Sequence, residues 1–267
     1  MRNLEILRNK LENNYRKKKR EMEIKQVLHY YLEYEHAIKG QNTKHSPIKT
    51  LEFGSGEGSQ LSYLSSYFDV IATDLYIPDF IKKERFNNYV LSDIRETPFQ
   101  DNYFDIIFSN HVLEHIKNYD KAFAELKRIG HDNTAYIFCV PTNLWLLLSI
   151  PAQYFNKAMK IYNKIVCNDS KSSEGNNNSE IANKKKKFDY IKIKGHGVEQ
   201  NFRECFNLFK VDSWHNLFVS NSFSVKLIKP LLLYSASDLP IIPIRKVNSI
   251  HLCSSVMFIL NKKVDMF

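Results

Sequence analysis

The stretch IKTLEFGSGEGSQLSYLSSYFDVIATD, residues 48–74, decides the fold. Its opening IKTLEF is a short apolar run that leads directly into a glycine turn with Gly54, Gly56 and Gly58. SQLSYLSSYF then returns to helical spacing through Leu61, Leu64 and Tyr67, and DVIAT reads as a second strand ending at Asp74. The alternation continues downstream. NNYVLSDI, FDIIFS and TAYIFCV read as further strands, and NYDKAFAELKRI between the last two is a helix with Phe123, Leu126 and Ile129 on one side. Strands alternating with helices predict an α/β fold, a mainly parallel sheet covered on both faces. Ligands on such sheets bind outside the carboxyl ends of the strands, near the switch in strand order. Residues 54–58, 74, 93 and 109–115 all fall at strand ends, so they converge on one crevice.

Working outward, residues 1–40 read as helix, with Met22, Ile24, Val27, Leu28, Tyr31 and Leu32 recurring near the helical period. The polar stretch GQNTKHSP closes that region, so residues 1–44 are expected to form an N-terminal helical cap and 45–267 the main domain. NDSKSSEGNNNSEIANKKKK, residues 168–187, has one large apolar residue and no periodicity, which predicts a disordered insertion. FRECFNLF reads as a short helix, and SFSVKLIKPLLLYS and NSIHLCSSVMFILNKK as two more strands.

The whole chain has 267 residues, 43% hydrophobic and 25% charged, a composition that supplies a core and excludes collagen, coiled coil and wholesale disorder. No apolar run approaches the roughly 20 residues that span a bilayer, and the basic N-terminus lacks the apolar centre of a secretory leader. The 4 cysteines show no CxxC spacing, so neither a zinc knuckle nor a disulfide framework is expected and a cytoplasmic setting fits. Net charge is +9, concentrated at Arg16–Arg20 and Lys184–Lys187. Those runs are solvated faces or attract an anionic membrane or phosphorylated substrate; without interleaved aromatics they do not suggest nucleic acid.

Chemistry gathers at the strand ends. Glycine permits positive φ and close backbone approach to a ligand, and the amides opening the next helix suit a carboxylate or phosphate. The dinucleotide fingerprint wants a third glycine where this chain has Ser59. Asp74, at the end of the second strand, is placed to accept ribose hydroxyls.

The stretch SDIRETPFQDNYFDIIFSNHVLEHI, residues 92–116, resembles the class I S-adenosylmethionine-dependent methyltransferases of the small-molecule branch. The likeness covers roughly residues 45–141. It implies a Rossmann-like sheet of seven strands with the last antiparallel, and S-adenosylmethionine as cofactor. By the same resemblance, Glu52 helps hold the methionine ammonium, directly or through water. Gly54, Gly56 and Gly58 pass beneath the methionine and ribose, and Asp74 takes the ribose. Asp93 meets the adenine amino group, Ile94 touches the ring, and Asn110 and His111 border the transferred methyl. Asp105 reads as structural. KGHGVEQNF, containing His196, resembles an element of bacterial surface-polysaccharide methyltransferases and makes His196 a candidate general base, with His111 as a further substrate contact. Trp145, Leu146, Leu147, Leu148, Ile150, Tyr154 and Phe155 are expected to wall the acceptor pocket, and the lysines after them to allow peripheral contact with a membrane's inner face.

His111, Glu114 and His115 also spell HxxEH, but the string follows an apolar strand and no third ligand stands near it, so no metal is expected. The functional reading is methylation, chiefly of oxygen, on a small molecule or glycan. Two alternatives stay open: an NAD-dependent sugar epimerase or dehydrogenase on a similar sheet, and a catalytically inactive cofactor-binding partner subunit.

Overall fold

The computed structural model describes residues 2–39, 47–77, 88–168, 193–198, 201–236 and 239–263. Helix α1 runs Arg2–Lys39, followed by β1 (Lys49–Phe53), α2 (Leu61–Leu64), β2 (Asp69–Asp74), β3 (Tyr89–Leu91) and β4 (Phe104–Asn110). Next come α3 (Tyr119–Ile129), β5 (Gly130–Pro141), α4 (Asn143–Asn168), α5 (Phe202–Leu208) and α6 (Val211–Ser220). The chain closes with β6 (Phe223–Pro230), the short β7 (Leu232–Leu233) and β8 (Arg245–Lys246), and β9 (Ser255–Lys262). Seven strands form one sheet in the order β3-β2-β1-β4-β5-β9-β6. β9, the last in sequence, is the one strand that runs against the direction of the other six, pairing antiparallel with β5 and β6.

Alternation along each strand divides the apolar side chains between two cores. On one face Ile106, Phe108, Met257 and Ile259 pack with Ile24, Val27, Leu28 and Tyr31 of α1 and Leu61 and Leu64 of α2. On the other, Leu51, Phe53, Ile107, Phe138 and Phe258 pack with Phe123, Leu126 and Ile129 of α3 and with Trp214 and Phe218 of α6. The apolar stripe of α1 therefore lies in the core against the sheet, while Ile6 and Leu11 near its start stay exposed.

Several elements are shorter than their sequence patterns, among them β9, whose run NSIHLCSSVMFILNKK opens in a 3-10 turn at Ile250–Leu252. The first crossover helix is one turn, because the bend consumes Gly58–Gln60. The third strand stops at Leu91, and Asp93 sits in a separate bridge with Glu96. The run SFSVKLIKPLLLYS ends its pairing at Pro230, a residue that the edge position of β6 tolerates, and Leu232–Leu233 joins β8 instead. Asp105 is structural: its carboxylate accepts from the Lys49 amide at 2.8 Å and meets His131 at 3.0 Å. Residues 169–187 of the expected insertion lie outside the described residues. No described helix is long and apolar enough to cross a membrane.

Register sets the site. Glu52 lies beside Ala72 on one side and Phe108 on the other, so the tips of β1, β2 and β4 stand together. Strand order reverses at β1, where the crevice of such sheets forms.

Candidate active site

The glycine bend opens the crevice. Gly54, Gly56 and Gly58 have φ of +69°, +55° and +64°, a region that L side chains rarely adopt. A Cβ on Gly54 would stand 2.3 Å from Val112 Cγ2, whereas one on Gly56 would project into open space. Asp74 fixes the bend by accepting from the Gly56 amide at 2.8 Å, and the Tyr89 hydroxyl donates to the Gly56 carbonyl at 2.8 Å. The resulting crevice holds about 420 Å³, within the usual range for small-molecule sites, and is lined among others by Gly54, Asp74, Asp93, Ile94, His111 and His115.

Glu52 does not line that crevice. It is buried beneath the bend and accepts from the Ser55 hydroxyl at 2.6 Å, so its observed contact is a brace for the turn. Burial pushes its carboxyl up to about 7, against the opposing pull of Ser55 and Arg20. A raised carboxyl stabilises the fold fully below about pH 4.5, and that contribution is lost as pH rises through about 7. Glu52→Gln is therefore expected to gain about 1–3 kcal/mol at pH 8 and to flatten the pH dependence of urea unfolding across that window.

Asp93 and Ile94 do reach the crevice, but Asp93 arrives with a partner. Arg95 donates to it from the backbone amide and Nε, both at 2.9 Å, and from Nη2 at 2.5 Å. Those hydrogen bonds hold the Asp93 carboxyl below its usual range. A base amino group would share this carboxylate with the guanidinium.

At the tip of β4 the chain turns sharply. His111 has φ of +58°, uncommon for a residue with a side chain, and its amide donates to the Cys139 carbonyl at 2.9 Å. The turn brings His111 onto an acid that the strand-end reading did not find. Glu23 of α1 is fully buried; it accepts from Asn110 Nδ2 at 3.1 Å and from the Ser255 hydroxyl at 2.5 Å, and lies 3.2 Å from His111 Nε2. The Tyr234 hydroxyl is 3.1 Å from the same nitrogen, and Glu114 Oε1 is 3.5 Å from Nδ1. Burial alone would push the Glu23 carboxyl up, but Lys19, His111 and their hydrogen-bonding neighbours outweigh it and hold the group far down. Burial and Lys19 press the imidazole down, yet the two carboxylates carry it above its ordinary value. The available signal was an acid wedged between Met22 and Ile24 on a helix whose apolar stripe is buried. Asn110 faces this cluster rather than the crevice, and its Oδ1 is buried without a partner.

A second cavity of about 200 Å³ adjoins the first and shares His111 and His115 with it. Its other walls are Arg16, Lys19 and Arg20 of α1 with Glu114, Trp145, His196, Tyr234 and Ser235. His196 is seated by Cys205, which accepts from its amide at 3.3 Å, and by its neighbour Gly197. Gly197 has φ of +73° and lies so close to the Glu114 carbonyl that a Cβ there would be 2.1 Å from the oxygen. The imidazole packs 4.7 Å from the Trp145 ring and 5.1 Å from His115, centroid to centroid. Burial pushes it down to about 4, so it is neutral at pH 7.

Two expectations change here. Of the predicted apolar wall, only Trp145 lines either cavity among the described residues; Leu146 belongs to the core, and Leu147, Tyr154 and Phe155 are exposed. The helix packs its inward side on the protein and turns the rest to solvent, a division that periodicity alone does not assign. The HxxEH string is no α-helix: His111 turns with positive φ and only Leu113–His115 form a 3-10 turn, beside which a third donor, His196, arrives from elsewhere in the chain. Glu114, His115 and His196 place ligand atoms within 4.8 Å of one another, close enough for a divalent cation.

S-adenosylmethionine fits the first cavity on its own features. Gly54 at its edge admits no Cβ and lets backbone approach a ligand closely, Asp74 and Asp93 supply acceptors along the rim, and Ile94 adds an apolar wall suited to a nucleoside ring.

Comparison with known proteins agrees. Residues 51–138 match the family described as "Methyltransferase domain". An uncharacterized methyltransferase of Schizosaccharomyces pombe is 36% identical over 76 residues, 28% of this chain, and the chain spans about a quarter (27%) of that relative's length. Among solved structures, the chain resembles 1,6-didemethyltoxoflavin-N1-methyltransferase of Burkholderia thailandensis, solved with 1,6-didemethyltoxoflavin and S-adenosylhomocysteine bound. The TM-score is 0.50 at 12% identity, over 98% of this chain and 90% of that one. It also resembles a SAM-dependent methyltransferase of Thermotoga maritima, with a TM-score of 0.49 at 13% identity over 92% of both chains. At such identities the likeness is one of fold. Residues 51–138 thus resemble a methyltransferase domain in sequence, and the whole chain resembles S-adenosylmethionine-dependent methyltransferases in fold.

Proposed function

We propose that the chain methylates an oxygen of a small-molecule or glycan acceptor, using S-adenosylmethionine held in the larger cavity and the acceptor held in the smaller. The observation that carries this reading is the contact between the two cavities at His111 and His115. S-adenosylmethionine supplies an electrophilic methyl group. The protein's task is then alignment, and proton removal where the acceptor is a hydroxyl. Asp74 and the glycine bend position the nucleoside side, with Ile94 as an apolar wall. His111, fixed by Glu23 and Glu114, shapes the passage between the cavities. Neutral His196 takes the acceptor proton, and Trp145 limits water beside it. An imidazole with pKa near 4 suits an acidic hydroxyl, a phenol or enol, better than an aliphatic alcohol. The nicotinamide reading has lost its support, because the matched family is a methyltransferase one and Ser59 of the bend is engaged by Arg20 at 3.0 Å.

Calorimetric titration tests the assignment. S-adenosylhomocysteine is expected to bind and NAD not to bind. Asp74→Ala is expected to weaken S-adenosylhomocysteine by about 1–3 kcal/mol through lost charge-assisted hydrogen bonds. Undiminished affinity would remove Asp74 from the ribose. A radiolabel methyl-transfer screen over phenols, sugar nucleotides and lipid-linked glycans then separates an enzyme from an inactive partner subunit.

A further inference from the structure

We infer that the acceptor carries an oxyanion, a carboxylate or a phosphate, seated against Arg16, Lys19 and Arg20 at the smaller cavity. This inference rests on the methyltransferase reading and extends it to the class of substrate.

Five consecutive basic residues, Arg16–Arg20, would ordinarily be a solvated helix face. Here three of them, at helical spacings of three and four, line one recess, while Lys17 and Lys18 do not. Within that lining the fixed cations number three and the carboxylates one, Glu114, which is already opposite His111. Glu23 lies behind the wall and is shared among Asn110, His111 and Ser255. Arg20 donates to a neutral partner, the Ser59 hydroxyl, and Lys19 stands 4.7 Å over the Tyr234 ring and 3.9 Å from Glu23. Burial pushes the Lys19 ammonium down, a cost that an arriving anion would relieve.

The shape selects among anionic partners. A recess of about 200 Å³, smaller than a typical drug-sized site, takes a small charged molecule rather than a membrane surface or a nucleic-acid strand. Trp145 and Tyr234 add flat apolar faces beside the cations, as a ring bearing an acid would require.

The test uses the full chain saturated with S-adenosylhomocysteine, and Trp145 as reporter, since the other tryptophan, Trp214, is fully buried in the core. Matched probes are titrated: p-hydroxybenzoate against p-hydroxybenzamide, phenyl phosphate against phenol, and inorganic phosphate alone. The anionic member of at least one pair is expected to bind about tenfold more tightly than its neutral partner. Arg16→Glu is expected to abolish that preference while leaving S-adenosylhomocysteine affinity and melting temperature unchanged. The two pairs distinguish a carboxylate from a phosphate. Equal affinities within both pairs, or no binding of any oxyanion while S-adenosylhomocysteine still binds, would overturn the inference. Failure of S-adenosylhomocysteine itself to bind would instead overturn the reading beneath it.

Discussion

Glu23→Ala is expected to lose about 3–5 kcal/mol of folding free energy, the usual consequence of removing one partner from a buried charged cluster. Nothing else described reaches all of its contacts. Without the carboxylate, Asn110 Nδ2 and the Ser255 hydroxyl lose their acceptor, and His111 and Lys19 lose their nearer counter-charge and keep only Glu114. Urea unfolding measures the loss. Glu23→Gln keeps the volume and isolates the charge, and its effect shows in the titration of His111. An imidazole raised above its ordinary value contributes stability that is complete below its unfolded pKa and disappears as pH rises through the folded one. In Glu23→Gln that contribution should shrink and the His111 proton resonances should titrate at lower pH. An unmoved His111 titration would show that Glu114 alone sets its charge.

His196→Ala is expected to lower kcat by about 10²–10⁴-fold, the range for loss of a general base, and to leave S-adenosylhomocysteine affinity near its starting value. The pH profile separates this from mere positioning. With His196 pushed down to about 4, the acid limb of kcat/KM in the native protein should fall near pH 4 rather than near the ordinary histidine range. His196→Ala should remove that limb. A variant that retains the native rate, or a native limb at pH 6–7, would assign the proton to another group, of which His115 is the nearest exposed imidazole.

The parts of the site that were legible in sequence are those built from neighbours in sequence. A glycine bend after an apolar strand, Asp74 closing the next strand and Asp93 beyond the third are local patterns, and the parallel register brings them together without further information. Glu23 was not legible in this way. It meets His111 across 88 residues and Ser255 across 232, and only the docking of α1 on the sheet decides which side of that helix faces inward. The same docking turns Arg16, Lys19 and Arg20 from a charge run into one wall of a cavity. His196 reads as a candidate general base from its own motif, yet its companions Glu114 and His115 belong to a string whose sequence surroundings offer no third donor. The donor came from a segment more than 80 positions downstream, through a glycine backed against a carbonyl. The apolar wall failed for the opposite reason: a run of large side chains on a helix says that some will be covered, but not by what.

The leading helix carries two different commitments on successive turns. Its inward acid is matched to a histidine and to the final strand, so a foreign helix grafted in its place would need to bring the same acid at the same depth. Of its cations, Lys19 shares that acid and the Tyr234 ring, whereas Arg16 and Arg20 reach away from it toward the recess. Divergence toward new acceptors is therefore cheapest at Arg16 and Arg20, and a library randomised at those two positions with Lys19 kept should change substrate preference while the scaffold survives.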